Sequence, residues 1–300
     1  MEASRATVLQ PGAALGVRQV VADYVALTKP KVQSLLLFTT IASMEVAGNP
    51  SAGRVALTCL GGYLSAGGAG AVNHWYDRDI DAQMGRTADR PVPSGRVAPA
   101  AALAFGCTLS ALSFLLLALT VNVLAATLAL GGFLGYTLVY TMWLKRRTPQ
   151  NIVIGGAAGA MPPLVGWAAV TGHVSGLAIF MFAIVFFWTP PHFWALSLLM
   201  KGEYEKVGVP MLPVVRGEGE TRRQILLYTV LLYAVTQLPF CAGGLGLPYL
   251  GASLVLGGAF IAGAVRLYRR ADRRAALQLY LFSLAWLAML FAAMVIDVKI

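Results

Sequence analysis

Residues 101–144 read AALAFGCTLSALSFLLLALTVNVLAATLALGGFLGYTLVYTMWL, a stretch without a single Asp, Glu, Lys or Arg. A helix needs about 20 mostly apolar residues to span a bilayer. The stretch is therefore long enough for two spanning helices, which we place at 101–120 and 122–144.

Similar stretches recur along almost the whole chain, which is 58% hydrophobic and only 12% charged. Soluble domains are typically about 45–50% apolar and about 25% charged. The sequence therefore predicts an all-α, polytopic membrane bundle, with a cytoplasmic N-terminal segment over 1–31 and a single transmembrane domain over 32–300. The nine predicted spans are 32–48, 55–73, 101–120, 122–144, 152–172, 176–199, 224–245, 247–266 and 277–297.

The positive charge predicts the orientation of the bundle. All but two of the 23 Lys and Arg residues, Arg54 and Lys299, fall in connections on one side. Cytoplasmic loops carry the Lys and Arg excess, so the N-terminus and the loops 74–100 and 200–223 are expected to be cytoplasmic and the C-terminus outside. Topology thus accounts for the net charge of +10, and no nucleic acid partner is expected.

The segment NHWYDRDID at 73–81 follows the second predicted span. Asn73, Asp77 and Asp81 are spaced i, i+4, i+8, which places them on one face of a helix. The three residues are called the acidic stripe below. Aligned oxygen ligands of this kind suit Mg²⁺, which proteins hold with one or two carboxylates plus substrate phosphates. The alternative is a solvated helix end that is held by salt bridges.

Basic residues on the same predicted side favour a diphosphate substrate, because Arg and Lys bind phosphate oxygens well. Asn151 adds an amide beside the basic run 145–147. The candidates for diphosphate binding are Lys31, Arg86, Arg90, Lys145, Asn151 and Lys201.

The chain resembles the UbiA superfamily of intramembrane prenyltransferases, whose first aspartate motif has the spacing of Asn73, Asp77 and Asp81. Its segments are most similar to the haem O synthase branch of that superfamily. The matching segments are Thr28–Val32, Tyr76–Ala82, Arg86-Thr87, Arg90-Pro91, Leu144–Ala160, Pro191–Leu196 and Gly208–Pro213.

This resemblance implies a helical bundle around a central cavity, with farnesyl diphosphate and Mg²⁺ (or Mn²⁺) at the acidic stripe. It implies that a vinyl group of haem B, a substrate rather than a fixed cofactor, attacks the farnesyl carbon and that water completes the product, haem O. The bilayer in question would be the inner membrane of a prokaryote. A downstream haem A synthase or an oxidase assembly factor is a further expected partner.

The chain departs from the superfamily pattern after the sixth span. Many members carry a second DxxxD motif there, whereas this chain has Glu203 and Tyr204. A second metal held entirely by carboxylates is therefore in doubt.

Two histidines are candidates for haem contact or catalysis. His192 follows Pro190 and Pro191 in the sixth span, where proline is expected to kink or open the helix, and an ionisable residue inside a membrane suggests function. His74 borders the acidic stripe. For both, the alternative is a histidine packed in the interior of the bundle.

Two other functions remain open from the sequence. One is prenyl transfer to a quinone or chlorophyll precursor, which would normally come with the second DxxxD motif. The other is a non-enzymatic transporter or haem-binding membrane protein. A transporter is expected to place polar groups near the bilayer midplane, whereas here the charge gathers at the predicted cytoplasmic ends.

Overall fold

The computed structural model describes residues 16–300, so half of the predicted N-terminal segment, residues 1–15, lies outside the described residues. The described chain is helical and forms no strand. Its helices are α1 (Val17–Leu27), α2 (Pro30–Ala47), α3 (Ala52–Tyr76), α4 (Arg78–Asp81), α5 (Pro99–Thr120), α6 (Val123–Leu134, continuing as a π-helix over Gly135–Leu144), α7 (Asn151–Gly159), α8 (Met161–Thr171), α9 (Gly176–Leu199), α10 (Lys201–Lys206), α11 (Leu212–Val215), α12 (Gly217–Val235), α13 (Leu238–Cys241), α14 (Leu247–Arg270) and α15 (Arg273–Lys299).

Eight helical rods of the described chain are long and apolar enough to cross a membrane: α3, α5, α6 with its π-helix, α7 with α8, α9, α12 with α13, α14 and α15. These rods correspond to the last eight predicted spans. The all-α membrane fold expected from the sequence is therefore confirmed, and the protein is an integral membrane protein.

The remaining predicted span corresponds to α2, which has 18 residues. It is less apolar than the others because it includes Lys31, Gln33 and Glu45. It nevertheless runs from one end of the bundle to the other. Lys29 at its start bonds Asn73 at the end of α3, whereas Glu45 near its end pairs with Lys299 at the end of α15.

Small residues let neighbouring helices approach closely. A Cβ atom on Gly68 of α3 would lie 2.5 Å from the carbonyl oxygen of Gly106 in α5, so no larger side chain fits there. Gly166 of α8 faces the Thr40 carbonyl of α2 in the same way. The α2–α8 contact closes a ring of four rods, since α2 also packs on α3, α3 on α6 and α6 on α8.

The two consecutive prolines of α9 do not open it. The helix runs unbroken from Gly176 to Leu199 with Pro190 and Pro191 inside. The prolines therefore do not open the sixth span, and a kink at them stays a prediction.

Candidate active site

The acidic stripe lies at the end of α3, where the chain leaves the bundle. Asn73, Asp77 and Asp81 are all buried. The sequence favoured one continuous helix through 73–81, but α3 ends at Tyr76 and a new helix, α4, begins at Arg78. The backbone still donates from Asp77 to Asn73 and from Asp81 to Asp77 over 2.9 and 2.8 Å. The three side chains therefore keep the predicted alignment despite the break.

Each member of the stripe meets a cation from a different segment. Lys29 donates to the Asn73 amide oxygen, Lys145 pairs with Asp77, and Arg90 pairs with Asp81 at 2.6 Å. Asn73 also donates to the Asp77 carboxylate over 2.6 Å. Buried charges require partners of this kind. The result is a compact polar cluster of alternating charge.

Lys29 is the residue of this cluster that the sequence analysis missed. It precedes Pro30 in the left-handed region, with φ 54°, a conformation that is costly for a residue with a Cβ atom. This backbone turns its side chain toward Asn73. Burial, followed by the charges of Arg90 and Lys145, lowers the pKa of Lys29 to about 7. The diphosphate candidate Lys31 lies on the exposed side of α2 instead, one residue past the proline.

The connection after the π-helix supplies Lys145 and Arg146, and Asn151 begins α7. Asn151 is fully buried and donates to the Lys145 carbonyl over 3.2 Å, which holds that turn in place. Its side-chain oxygen has no hydrogen-bond partner among the described residues. Arg146 forms two bonds, of 2.7 and 2.6 Å, to Asp79. These bonds hold the pKa of Asp79 below its usual range. Arg146 also pairs with Asp77 at 3.4 Å, so it links Asp79 to the stripe.

The two remaining predicted cations lie farther out. Arg86 is exposed and lines a pocket, called the cationic pocket below, together with Lys29, His74, Arg90, Arg96 and one acidic residue, Asp89. Lys201 pairs with Glu218 at 3.5 Å, and this contact ties it to the start of α12. Lys201 is therefore not part of the polar cluster seen here.

Glu203 and Tyr204 occupy α10, where many superfamily members have the second motif. Glu203 accepts a 2.8 Å hydrogen bond from the Gly85 backbone and one from Lys206, and the Gly85 bond in particular lowers the pKa of Glu203. Tyr204 is buried, which raises its pKa. Glu203 thus fastens the 82–98 connection instead of extending the stripe.

The two candidate histidines lie in different places. His74 is buried in the wall of the cationic pocket, and its Nδ1 has no partner among residues 16–300. His192 lies between Trp188 and Tyr280, with ring centroids at 4.3 and 4.9 Å, and its Nδ1 is 2.7 Å from the Ser283 hydroxyl.

The contacts of Ser283 favour one tautomer of His192. When the Ser283 hydroxyl donates to the Tyr280 carbonyl over 2.6 Å, it accepts from Nδ1 of the imidazole. In that arrangement Nε2 keeps the lone pair that a metal ligand requires.

An apolar cavity begins directly beneath the polar cluster. Lys29, Gln33 and Tyr136 line its polar end, and the rest of its wall comes from α2, α3, α6 and the α7–α8 rod. The lining includes Gly and Ala residues of α3, α6 and the α7–α8 rod. Lys29 borders both this cavity and the cationic pocket.

The residues of the stripe fit a divalent cation that arrives with its substrate. No group of three or more His, Cys, Asp or Glu side chains that could hold a metal ion occurs in residues 16–300. The stripe offers two carboxylates and one amide oxygen, which matches the incomplete protein ligand set that Mg²⁺ uses beside substrate phosphates.

Comparison with known proteins identifies the family. The pattern of the UbiA prenyltransferase family matches residues 35–294. The chain belongs to the UbiA prenyltransferase family. Curated relatives include proteins named protoheme IX farnesyltransferase, the first from Chloroflexus aurantiacus at 55% identity and the second from Symbiobacterium thermophilum at 56%. Both alignments cover 93% of this chain.

The relatives differ in length. The chain spans about half of the Chloroflexus protein, 48%, and of two Roseiflexus proteins of the same name, 52% and 56%. It spans 95% of the Symbiobacterium protein. The family expected from the motifs is confirmed.

Solved structures share the fold. A UbiA homologue from Aeropyrum pernix matches with a TM-score of 0.72 at 19% identity, covering 90% of this chain and 98% of that one. A homologue from Archaeoglobus fulgidus, solved with GPP and Mg²⁺, matches at 0.64 and 18%, covering 91% and 99%. At these identities the similarity concerns the fold alone.

Proposed function

We propose that this protein transfers the farnesyl group of farnesyl diphosphate to a vinyl group of haem B, with addition of water, to give haem O. The observation that carries the proposal is the buried polar cluster of Asn73, Asp77 and Asp81 with its three cations, set above an apolar cavity. A diphosphate with an isoprenoid tail has the same division into a charged head and an apolar chain. Relatives named protoheme IX farnesyltransferase supply the proposed acceptor.

In the proposed reaction, the bond between C1 of the farnesyl group and the diphosphate oxygen breaks, and diphosphate leaves with the bonding electrons. The vinyl carbon of haem bonds to C1. Water adds to the resulting cation and loses a proton, so that haem O and diphosphate are the products. Bound Mg²⁺ would supply charge neutralisation of the leaving diphosphate.

The residues around the proposed diphosphate site have different roles. Asp77 and Asp81 would hold the metal ion, with Asn73 adding an amide oxygen. Lys29, Arg90 and Lys145 already lie against these side chains, so each can turn to a phosphate oxygen when the donor arrives. Asn151 would fix the turn that presents Lys145, through its bond to the Lys145 carbonyl.

Two features support haem as the acceptor. The cationic pocket offers Arg86 and His74 for anionic propionates, whereas its Arg96 is paired with Asp23 at 3.0 Å. His192 is a candidate iron ligand through Nε2, the ring nitrogen that does not contact Ser283. We expect His192→Ala to weaken haem binding while leaving the affinity for a farnesyl diphosphate analogue nearly unchanged. Titration of the haem absorption band tests this, and unchanged haem binding and conversion would make His192 a packed interior residue.

We further propose that the acidic stripe faces the cytoplasm, as the Lys and Arg distribution predicts. Single cysteines in the loops 74–100 and 200–223 should then be protected from an impermeant reagent added to intact cells. Labelling of both loops from outside would show that the protein has the opposite orientation.

The function is tested by the product formed. Purified protein in lipid nanodiscs receives farnesyl diphosphate and Mg²⁺ with either haem B or an aromatic quinone precursor, and the products are identified by mass. We expect haem O and no prenylated quinone precursor. Prenylation of the quinone precursor alone would assign the protein to another branch of the family, and haem binding without any transfer would make it a haem-binding protein.

A further inference from the structure

We propose that the floor of the apolar cavity, formed by Thr40, Ala129 and Val165, measures the length of the prenyl chain and selects three isoprene units. The inference rests on the proposed function for the position of the diphosphate. It adds the specificity-determining residues, which neither the sequence motifs nor the polar cluster reveal.

The depth of the cavity follows from two helices that run along it in opposite directions. On α2, eleven residues separate Lys29 at the polar end from Thr40 in the lining, a rise of about 16 Å. On α3, eleven residues separate Asn73 from Gly62 in the lining, again about 16 Å. The two estimates agree on where the floor lies.

The floor is closed by packing. Val165 and Ala129 belong both to the cavity lining and to a buried apolar cluster that includes Met44, Leu117 and Ala168. The Ser65 hydroxyl donates to the Ala129 carbonyl over 2.9 Å and joins α3 to α6 at this level. Buried interiors of this kind leave few voids larger than a water molecule, so a chain that reaches the floor meets resistance.

The depth corresponds to a particular chain length. Each isoprene unit adds four backbone bonds, which extend about 5 Å. Three units therefore reach about 15 Å from the diphosphate end, whereas four units reach about 20 Å. A cavity about 16 Å deep therefore accommodates a chain of three isoprene units and excludes the last unit of a four-unit chain.

The chain offers matched variants for a test. Thr40→Ala and Val165→Ala deepen the floor. Their controls are Thr229→Ala, because Thr229 is equally buried and also bonds the carbonyl four residues earlier, and Val185→Ala, because Val185 is a buried valine of α9 outside the lining.

A third variant shortens the cavity. A Cβ atom on Gly159 meets no atom within 4 Å, and Gly159 lines the cavity, so Gly159→Val is expected to add bulk inside it. Gly258 of α14 has the same free space outside the lining, which makes Gly258→Val its control.

The experiment measures binding of geranyl, farnesyl and geranylgeranyl S-thiolodiphosphates, with two, three and four isoprene units, to purified protein in Mg²⁺. The unmodified protein should bind the three-unit analogue at least about tenfold more tightly than the four-unit analogue, since misfit by single methylenes in an apolar pocket already costs about that much. Val165→Ala and Thr40→Ala should each reduce this ratio by about threefold or more, whereas the two controls should keep it. Gly159→Val should weaken binding of the three-unit analogue about tenfold and leave binding of the two-unit analogue nearly unchanged.

A ratio that stays the same in Thr40→Ala and Val165→Ala, with thermal unfolding showing both proteins folded, would overturn the proposal. Failure of the haem reaction is distinguishable from this outcome. If the floor variants change the preferred chain length but the unmodified protein forms no haem O, the role proposed for the floor is supported and the proposed acceptor is wrong. If no analogue binds, both proposals fail.

Discussion

The ends of α3 and α9 make an instructive comparison, because both helices finish at the same end of the bundle and are followed by a short helix. At the end of α3, three buried side chains each meet a cation. At the end of α9, the partly exposed Glu203 bonds the Gly85 backbone and Lys206. The difference indicates that the diphosphate chemistry is concentrated at the first helix end, while the second holds the neighbouring connection in place.

The largest effect is expected for Asp77→Asn, which removes a fully buried charge without changing the size of the side chain. Farnesyl transfer should fall about 100-fold or more, a loss of about 2.7 kcal/mol of transition-state stabilisation. The check is the rate of haem O formation at saturating substrates. A rate within about twofold of the unmodified protein would remove Asp77 from the site.

The next effect concerns the two lysines that flank Pro30. Lys29→Gln should weaken binding of a farnesyl diphosphate analogue about tenfold, as expected for the loss of one charge-assisted hydrogen bond in a partly desolvated site. Lys31→Gln is the matched control and should bind as the unmodified protein does, because Lys31 is exposed. Equal losses in both variants would contradict the assignment of Lys29.

A smaller effect is expected at the second helix end. Glu203→Gln keeps a side-chain oxygen for the Gly85 amide but loses the ionic character of that bond. Transfer should fall only about threefold, while hydrogen exchange of the Gly85 amide should accelerate. If Glu203→Gln abolished transfer as Asp77→Asn does, the comparison between the two ends would be wrong.

The smallest effect is expected for Asp79→Asn. The Asp79 carboxylate is more than half exposed, and Arg146 holds its pKa below the usual range. Its contribution to stability should therefore be present above the unfolded-state pKa and be lost as the pH falls through the lower folded-state pKa. At neutral pH we expect Asp79→Asn to lower the free energy of unfolding by less than about 1 kcal/mol and to leave the rate of farnesyl transfer unchanged. The difference in thermal unfolding between Asp79→Asn and the unmodified protein should disappear in acid. A difference that persists in acid would show that the charge of Asp79 does not cause it.

Much of the fold could be predicted from the sequence because the spanning segments are long, apolar and bounded by charged connections. The break at Asp77 and the π-helix at 135–144 could not, since neither alters the apolar pattern. The sequence also predicted a single span over 176–199, and α9 has the same bounds, with both prolines inside the helix.

The candidate site was predicted where side chains follow a helical spacing. Asn73, Asp77 and Asp81 are such a case, whereas Lys145 was named because its basic run lies on the same predicted side of the membrane. Lys29 was missed because its position depends on a left-handed backbone ahead of Pro30, a conformation that the preceding residue of a proline rarely adopts. The partners of Glu203 and Lys201 were missed as well, because they depend on contacts between distant segments.

The central claim is that the donor binds through the end of α3. The most direct test compares Mg²⁺-dependent binding of a farnesyl S-thiolodiphosphate to the unmodified protein, Asp77→Asn and Glu203→Gln. The account predicts that binding by the unmodified protein and by Glu203→Gln strengthens when Mg²⁺ is added, and that binding by Asp77→Asn does not. Mg²⁺-dependent binding that survives in Asp77→Asn but is lost in Glu203→Gln would contradict it.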